Sequence, residues 1–269
     1  MSPRPQRDSQ GMPMPYRMLS HVVIAAFTGA FSSGVQFFVP NVTEVQAAGA
    51  AAVEARALVR EEARAVQLID RFAVSHQVDI TSVTPHYNQT THAYIKTWVQ
   101  RPGHIRAESQ QYRRSETIVS DGSTTWTYDP GKRRYWKQKG AAPADLFSNA
   151  FPGLARQLSS PNLPSVMTAA RLVGTESLTI NGRSYPCDLV DVWVLPGASN
   201  GALQGNVLHL WISREYKIPL KVEATFAGAT PADTQRYSDY VTDFEINLKI
   251  PTPTWTFNPP PDAMIGALR

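Results

Sequence analysis

The sequence predicts an α+β fold in which one amphipathic helix precedes a strongly curved antiparallel sheet, an incomplete barrel of about eleven strands interrupted by a helical insertion. Three observations lead there. Residues 51–74 are rich in Ala, Glu and Arg, with apolar residues recurring at three and four positions. From residue 76 onward, short runs of β-branched and aromatic residues alternate and are separated by turn dipeptides. Between Ala141 and Arg171, Pro143, Pro152, Pro161 and Pro164 break the strand pattern into short segments.

Taken in order, the chain opens with a leader. Arg4, Arg7 and Arg17 precede an apolar run from Val22 to Phe38, and Val45-Gln46-Ala47 offers small residues for cleavage. This is a secretory signal pattern, so residues 1–47 are expected to be removed and 48–269 to form a single domain. Thr28, Ser32, Ser33 and Gln36 interrupt the run, which argues against a retained membrane anchor. Without residues 1–47 the chain carries 23 basic and 20 acidic side chains. That balance is too mild to suggest nucleic acid as a partner. Cys187 is the single cysteine, so neither an internal disulfide nor an acylated first residue is available. The expectation is a soluble, monomeric periplasmic protein.

The helix of residues 51–74 has Leu58, Ala65, Val66, Ile69 and Phe72 as its apolar stripe, and Arg60, Glu61, Glu62 and Arg64 read as its wet face. Strands follow at His76 to Pro85 and Thr90 to Gln100. Arg101-Pro102-Gly103 breaks the second, and His104 to Tyr112, Glu116 to Ser120 and Thr124 to Tyr128 continue a meander through the Asp121-Gly122 turn. Arg133 to Gln138 adds a strand. After the insertion come Leu172 to Ile180, an Asn181-Gly182 turn, Ser184 to Leu195, the pair Val207 to Ser213 and Pro219 to Ala227, Gln235 to Leu248, and a short closing strand at Trp255 to Phe257.

Catalytic signatures are missing. There is no G-x-S-x-G elbow, no H-E-x-x-H, no phosphate-binding glycine loop and no cysteine pair. His76, His86, His92, His104 and His209 are scattered, so neither a metal nor another cofactor is expected. Asp121 and Asp129 sit at turns, where Asp serves its own backbone. Cys187 reads as a small core residue. These readings leave a binding protein rather than an enzyme.

One set of residues carries a resemblance. Trp98, Arg101 and Pro102, followed by Ser120-Asp121-Gly122, Trp126, Tyr128 and Pro130, together with Leu210-Trp211-Ile212, Ile218 to Glu223 and Phe257-Asn258-Pro259-Pro260, resemble the LolA-like periplasmic lipoprotein carriers. The relatives of that family include an outer-membrane receptor, the stress regulator RseB and mycobacterial lipid-carrying lipoproteins. The resemblance covers most of the chain from about Val53. It implies a barrel covered by short helices that act as a lid, acyl chains entering between them, and no catalytic step. Burying a chain is worth about 0.8 kcal/mol per methylene, so cargo crossing water needs such an enclosure. The resemblance also implies that Arg101 latches the lid through backbone carbonyls. Trp98, Phe147, Phe151, Leu154, Leu158 and Met167 are the candidates for cavity lining and lid underside. Acylated lipoprotein or lipid would be the cargo, an inner-membrane transporter and an outer-membrane receptor the partners. An RseB-like sensor of mislocalised lipoproteins is the alternative. One departure is Arg106-Ala107, where relatives often have Arg-Trp.

Overall fold

The computed structural model describes residues 42–111, 114–142, 146–147, 150–152, 163–199, 203–227, 230 and 232–266, with backbone alone at 42–50. A helix, α1 (Val42–Leu68), leads into a 12-stranded sheet. Its strands are β1 (Arg71–Val83), β2 (Asn88–Gln100), β3 (His104–Gln111), β4 (Arg114–Asp121), β5 (Thr124–Asp129), β6 (Arg134–Lys139), β7 (Met167–Ile180), β8 (Arg183–Val194), β9 (Leu203–Ser213), β10 (Pro219–Ala227), β11 (Thr234–Ile246) and β12 (Met264–Ile265). A short helix, α2 (Leu163–Val166), precedes β7. No described helix is long and apolar enough to cross a membrane.

The spatial order is β12-β6-β5-β4-β3-β2-β1-β11-β10-β9-β8-β7. Two antiparallel meanders, β1 to β6 and β7 to β11, therefore meet where β1 pairs with β11, and β12 joins β6 in parallel. The sheet is open at both edges, yet β7 approaches β11, as an incomplete curved barrel requires. The segment between β6 and β7 links the two edges of the sheet. That explains why the proline-rich insertion interrupts the strands where it does.

Strand β1 alternates: Phe72, Val74, His76 and Val78 are buried while Ala73, Ser75, Gln77 and Asp79 are only partly so. The register pairs Phe72 with Val99, Val74 with Thr97, His76 with Ile95 and Val78 with Ala93, which defines one inner face. Ala55, Val59, Glu62 and Val66 of α1 are its buried residues, and Ala55 and Val59 pack in one apolar cluster with Val78, Ala93, Leu208, Leu210 and Val222. Val66 joins a second cluster with Phe72, Val74, Val99, Phe147 and Phe151.

Four expectations need correction. The helix ends at Leu68, so Phe72 belongs to β1. The buried helical stripe is rotated onto Ala55, Val59, Glu62 and Val66, which places Glu62 inside instead of on the wet face. Met167 starts β7 and pairs with Val194. Trp255 ends a 3-10 turn (Thr252–Trp255), and the closing strand is β12.

Candidate functional site

The site begins with two turns. Arg101-Pro102-Gly103 ends β2 and Asp121-Gly122 ends β4, and they lie back to back: a Cβ on Gly103 would stand 2.8 Å from the Gly122 Cα. Gly103 is therefore needed for the contact, and Gly122 for its φ of 87°. The Asp121 carboxylate secures its own turn by accepting from the Ser123 and Thr124 amides at 2.8 Å. Burial alone would raise its pKa, but these hydrogen bonds outweigh it and lower it. Asp129 likewise accepts from the Lys132 amide at 3.0 Å. Both acids serve turns, which leaves no hydrolytic pair.

Packed in this way, the first turn holds Arg101 at the end of α1. Its Nε donates to the Ile69 carbonyl and its Nη2 to the Val66 carbonyl, both at 3.1 Å, and its amide donates to the Asp70 carbonyl at 2.8 Å. The last carbonyls of a helix lack internal partners and carry its negative end, so a guanidinium is the fitting cap. Burial lowers the Arg101 pKa and Asp70 pulls it back up. The peptide bond between Arg101 and Pro102 is cis. An open depression of about 470 Å³ lies over Asp70, Arg71, Gln100, Arg101 and Pro102.

Two of the candidate lining residues gather here. The Arg101 guanidinium lies 5.3 Å from the Phe147 ring centroid, and Phe151 stacks at 4.8 Å on Phe72 of the inner face. Phe147 and Phe151 are both buried. Leu154 and Leu158 lie outside the described residues. Met167 is partly buried against the first apolar cluster, from the edge strand and not from a helix. Trp98 is on the other side of the sheet. It pairs with Ala73 and Arg106, out of phase with Val99 and Thr97, and Lys96 lies 4.8 Å over its ring. A residue one step out of phase in a strand faces the opposite side, so Trp98 does not line the inner face.

The far half of α1 has a second tie, since the Arg56 guanidinium donates to the Thr168 carbonyl of β7. Between the two ties the helix presents small residues and one acid. Glu62 is 9% exposed, and burial pushes its pKa up to about 8, so it is a neutral acid at pH 7. On β1 below, His76 Nδ1 meets Asp239 Oδ1 at 2.6 Å, and the Tyr237 hydroxyl donates to Asp239 Oδ2 at 3.1 Å. The reading of the sequence missed this group. The spacing 55, 59, 62, 66 fits a helical face and was the available signal for Glu62. Nothing local pairs His76 with a residue 163 positions away.

Other reactive groups are accounted for. Cys187 is fully buried and its thiol is pushed up to about 11 by burial, the opposite of activation. His92 pairs with Asp79 at 2.7 Å and His209 with Asp191 at 2.7 Å. Among the described residues no group of His, Cys, Asp and Glu has the layout of a metal site.

Residues 55–150 match the family model described as "Predicted periplasmic protein (DUF2092)", which names the compartment the leader predicts. Among curated proteins none matches the chain. Among solved structures the chain is similar to one from the Pseudomonas aeruginosa MucA/MucB complex, with 16% identity and a TM-score of 0.41 over 80% of this chain and 64% of that one. It therefore spans less than two thirds of that protein. It is also similar to LprF from Mycobacterium bovis, with 12% identity and a TM-score of 0.38 over 75% and 97% of the two chains. A LolA superfamily protein from Nitrosomonas europaea matches at 12% identity with a TM-score of 0.29, over 76% and 97%.

Proposed function

We propose that this is a non-catalytic periplasmic carrier that holds acyl chains of lipoproteins or lipids between the inner face of its sheet and α1. The helix and the segment joining β6 to β7 form the cover, and Arg101 is its latch. Phe147 and Phe151 line the latch end; Leu154, Leu158 and Met167 complete the apolar surface offered to cargo.

The observation that carries this reading is the way α1 is held. Its fully buried residues are Ala55, Val59, Glu62 and Val66, with Leu58 partly buried against the first cluster, so no aromatic ring anchors it. It is instead tied by guanidinium groups on backbone carbonyls, at its middle by Arg56 on Thr168 and at its C-terminal end by Arg101 on Val66 and Ile69. A seam of small residues costs little to part, whereas a charge-assisted hydrogen bond is worth about 1.5–3 kcal/mol and breaks as a unit. That is a cover that opens without dismantling the sheet. In this reading cargo passes from an inner-membrane transporter to an outer-membrane receptor.

Native mass spectrometry of the exported protein, with extraction of bound lipid, tests the reading. Co-purified acyl lipid is the expected result. A protein that carries none and also ignores fluorescent fatty-acid probes overturns it.

A further inference from the structure

The buried, inward-facing residues of β1 are apolar except His76. His76 is 3% exposed and Asp239 2%, and they meet beneath α1 with the Tyr237 hydroxyl completing the chain. A β-bulge puts Asp239 there. Val74 pairs with Phe244, but the register then slips so that His76 faces Val241 and Val78 faces Asp239. With no slip Val78 would face Tyr240, and Asp239 would point outward beside Asp79. The extra residue, Thr242, is held by its hydroxyl donating to the Ser75 carbonyl at 3.1 Å. Bulges re-aim side chains, and this one turns a carboxylate into an oily interior, where it needs a purpose.

The His76 ring is left half used. Nδ1 donates to Asp239, while Nε2 is buried and has no hydrogen-bond partner. A neutral ring in that tautomer offers Nε2 as an acceptor. Along the helix Glu62 lies between Val59 and Val66, which belong to the two apolar clusters that Val78 and Val74 join from either side of His76. Burial pushes the Glu62 pKa up to about 8, and a neutral acid brings one O–H donor.

We propose that His76 Nε2 and the Glu62 carboxyl are a buried anchor for the oxygen-bearing end of an acyl ligand, a hydroxyl or amide N–H beside an ester or amide carbonyl. The inference rests on the carrier reading and names the chemistry its cargo must show. The ligand O–H or N–H donates to His76 Nε2, and the Glu62 O–H donates to the ligand carbonyl. Asp239 and Tyr237 are positioning residues that fix the ring. Parting α1 from the sheet uncovers donor and acceptor together, so the polar end is gripped only while the cover is closed.

The test compares two probes on the full exported chain: diphenylhexatriene, a hydrocarbon, and monopalmitoylglycerol, which adds hydroxyls and an ester to an acyl chain. His76→Phe and Glu62→Leu are expected to weaken monopalmitoylglycerol binding about three- to ten-fold each, the equivalent of one hydrogen bond. Hydrocarbon binding stays unchanged, and Glu62→Gln, which keeps a donor and an acceptor, stays close to wild type. If Glu62→Leu and His76→Phe bind both probes as wild type does, the anchor is wrong and the carrier stands. If the wild type binds neither probe, the carrier reading itself fails. Should His76→Phe lose the hydrocarbon too, the Glu62 pair decides: Leu weaker than Gln supports the anchor, and equal affinities overturn it.

Discussion

The sheet has two covers, and they are built on opposite principles. On the inner face α1 buries Ala55, Val59, Glu62 and Val66 and is tied at its middle and its C-terminal end by arginines. On the outer face of β3 to β6 the C-terminal segment brings large rings. Trp255 is buried, with His104 at 5.5 Å, and Phe257 lies 6.3, 6.0 and 5.6 Å from Trp126, Tyr128 and Tyr135. The Arg106 guanidinium donates to the Thr254 carbonyl at 3.5 Å. Each aromatic ring buries about 150–250 Å², far more than Ala or Val. The outer strap is held by large buried rings, and the inner helix by smaller side chains and arginine hydrogen bonds. The row Trp98, Arg106, Val119 and Trp126 belongs to the strap's side.

The sharpest way to break the contrast is to remove an aromatic from the strap. Trp255→Ala is expected to cost about 3–5 kcal/mol in urea unfolding, because a buried ring leaves a cavity. A loss under 1 kcal/mol would mean that the strap is as loose as the helix.

Next comes pH. Glu62 holds its proton with a pKa of about 8 when folded against 4.5 for an ordinary glutamate. Its contribution is intact below about pH 4.5 and drains away as pH rises through 8, where the acid must ionise under the helix or the helix must lift. Wild type is expected to lose stability between pH 5 and 8 relative to Glu62→Gln, by on the order of a few kcal/mol. Parallel Tm profiles would show that the acid is wet after all.

A smaller effect separates latch from scaffold. Arg101→Leu is expected to make opening of α1 about 1.5–3 kcal/mol cheaper, read as faster amide exchange at 55–68, with the urea midpoint of the sheet unchanged. Uniform acceleration over the whole chain would assign Arg101 to the scaffold instead. The smallest effect is on the outer face: Trp98→Ala leaves diphenylhexatriene binding as it was and costs about 1 kcal/mol of stability. Lost probe binding would return Trp98 to the interior.

Much of this was legible in the chain. Alternation and turn dipeptides located the strands, because a pleated, half-buried strand demands a period of two and a tight hairpin demands residues tolerant of positive φ. Asn181 and Gly182 do adopt φ of 49° and 77°. Arg101 was marked by its place after Trp98 and before Pro102. The helix was visible too, but its end was not, since Phe72 continues the apolar spacing into β1. Which face a strand residue takes depends on pairing, so Trp98 looked like lining and Glu62 like surface.

By itself, then, the sequence determined the elements and the turns, which follow from contacts within a few residues, while Arg101 was singled out through the family resemblance and meets carbonyls 32 and 35 positions away. Only the tertiary structure decided which side of the sheet is covered by what, and that His76 and Asp239 share one buried spot. That meeting depends on a one-residue slip between β1 and β11, and a register is a property of two strands, written in neither alone.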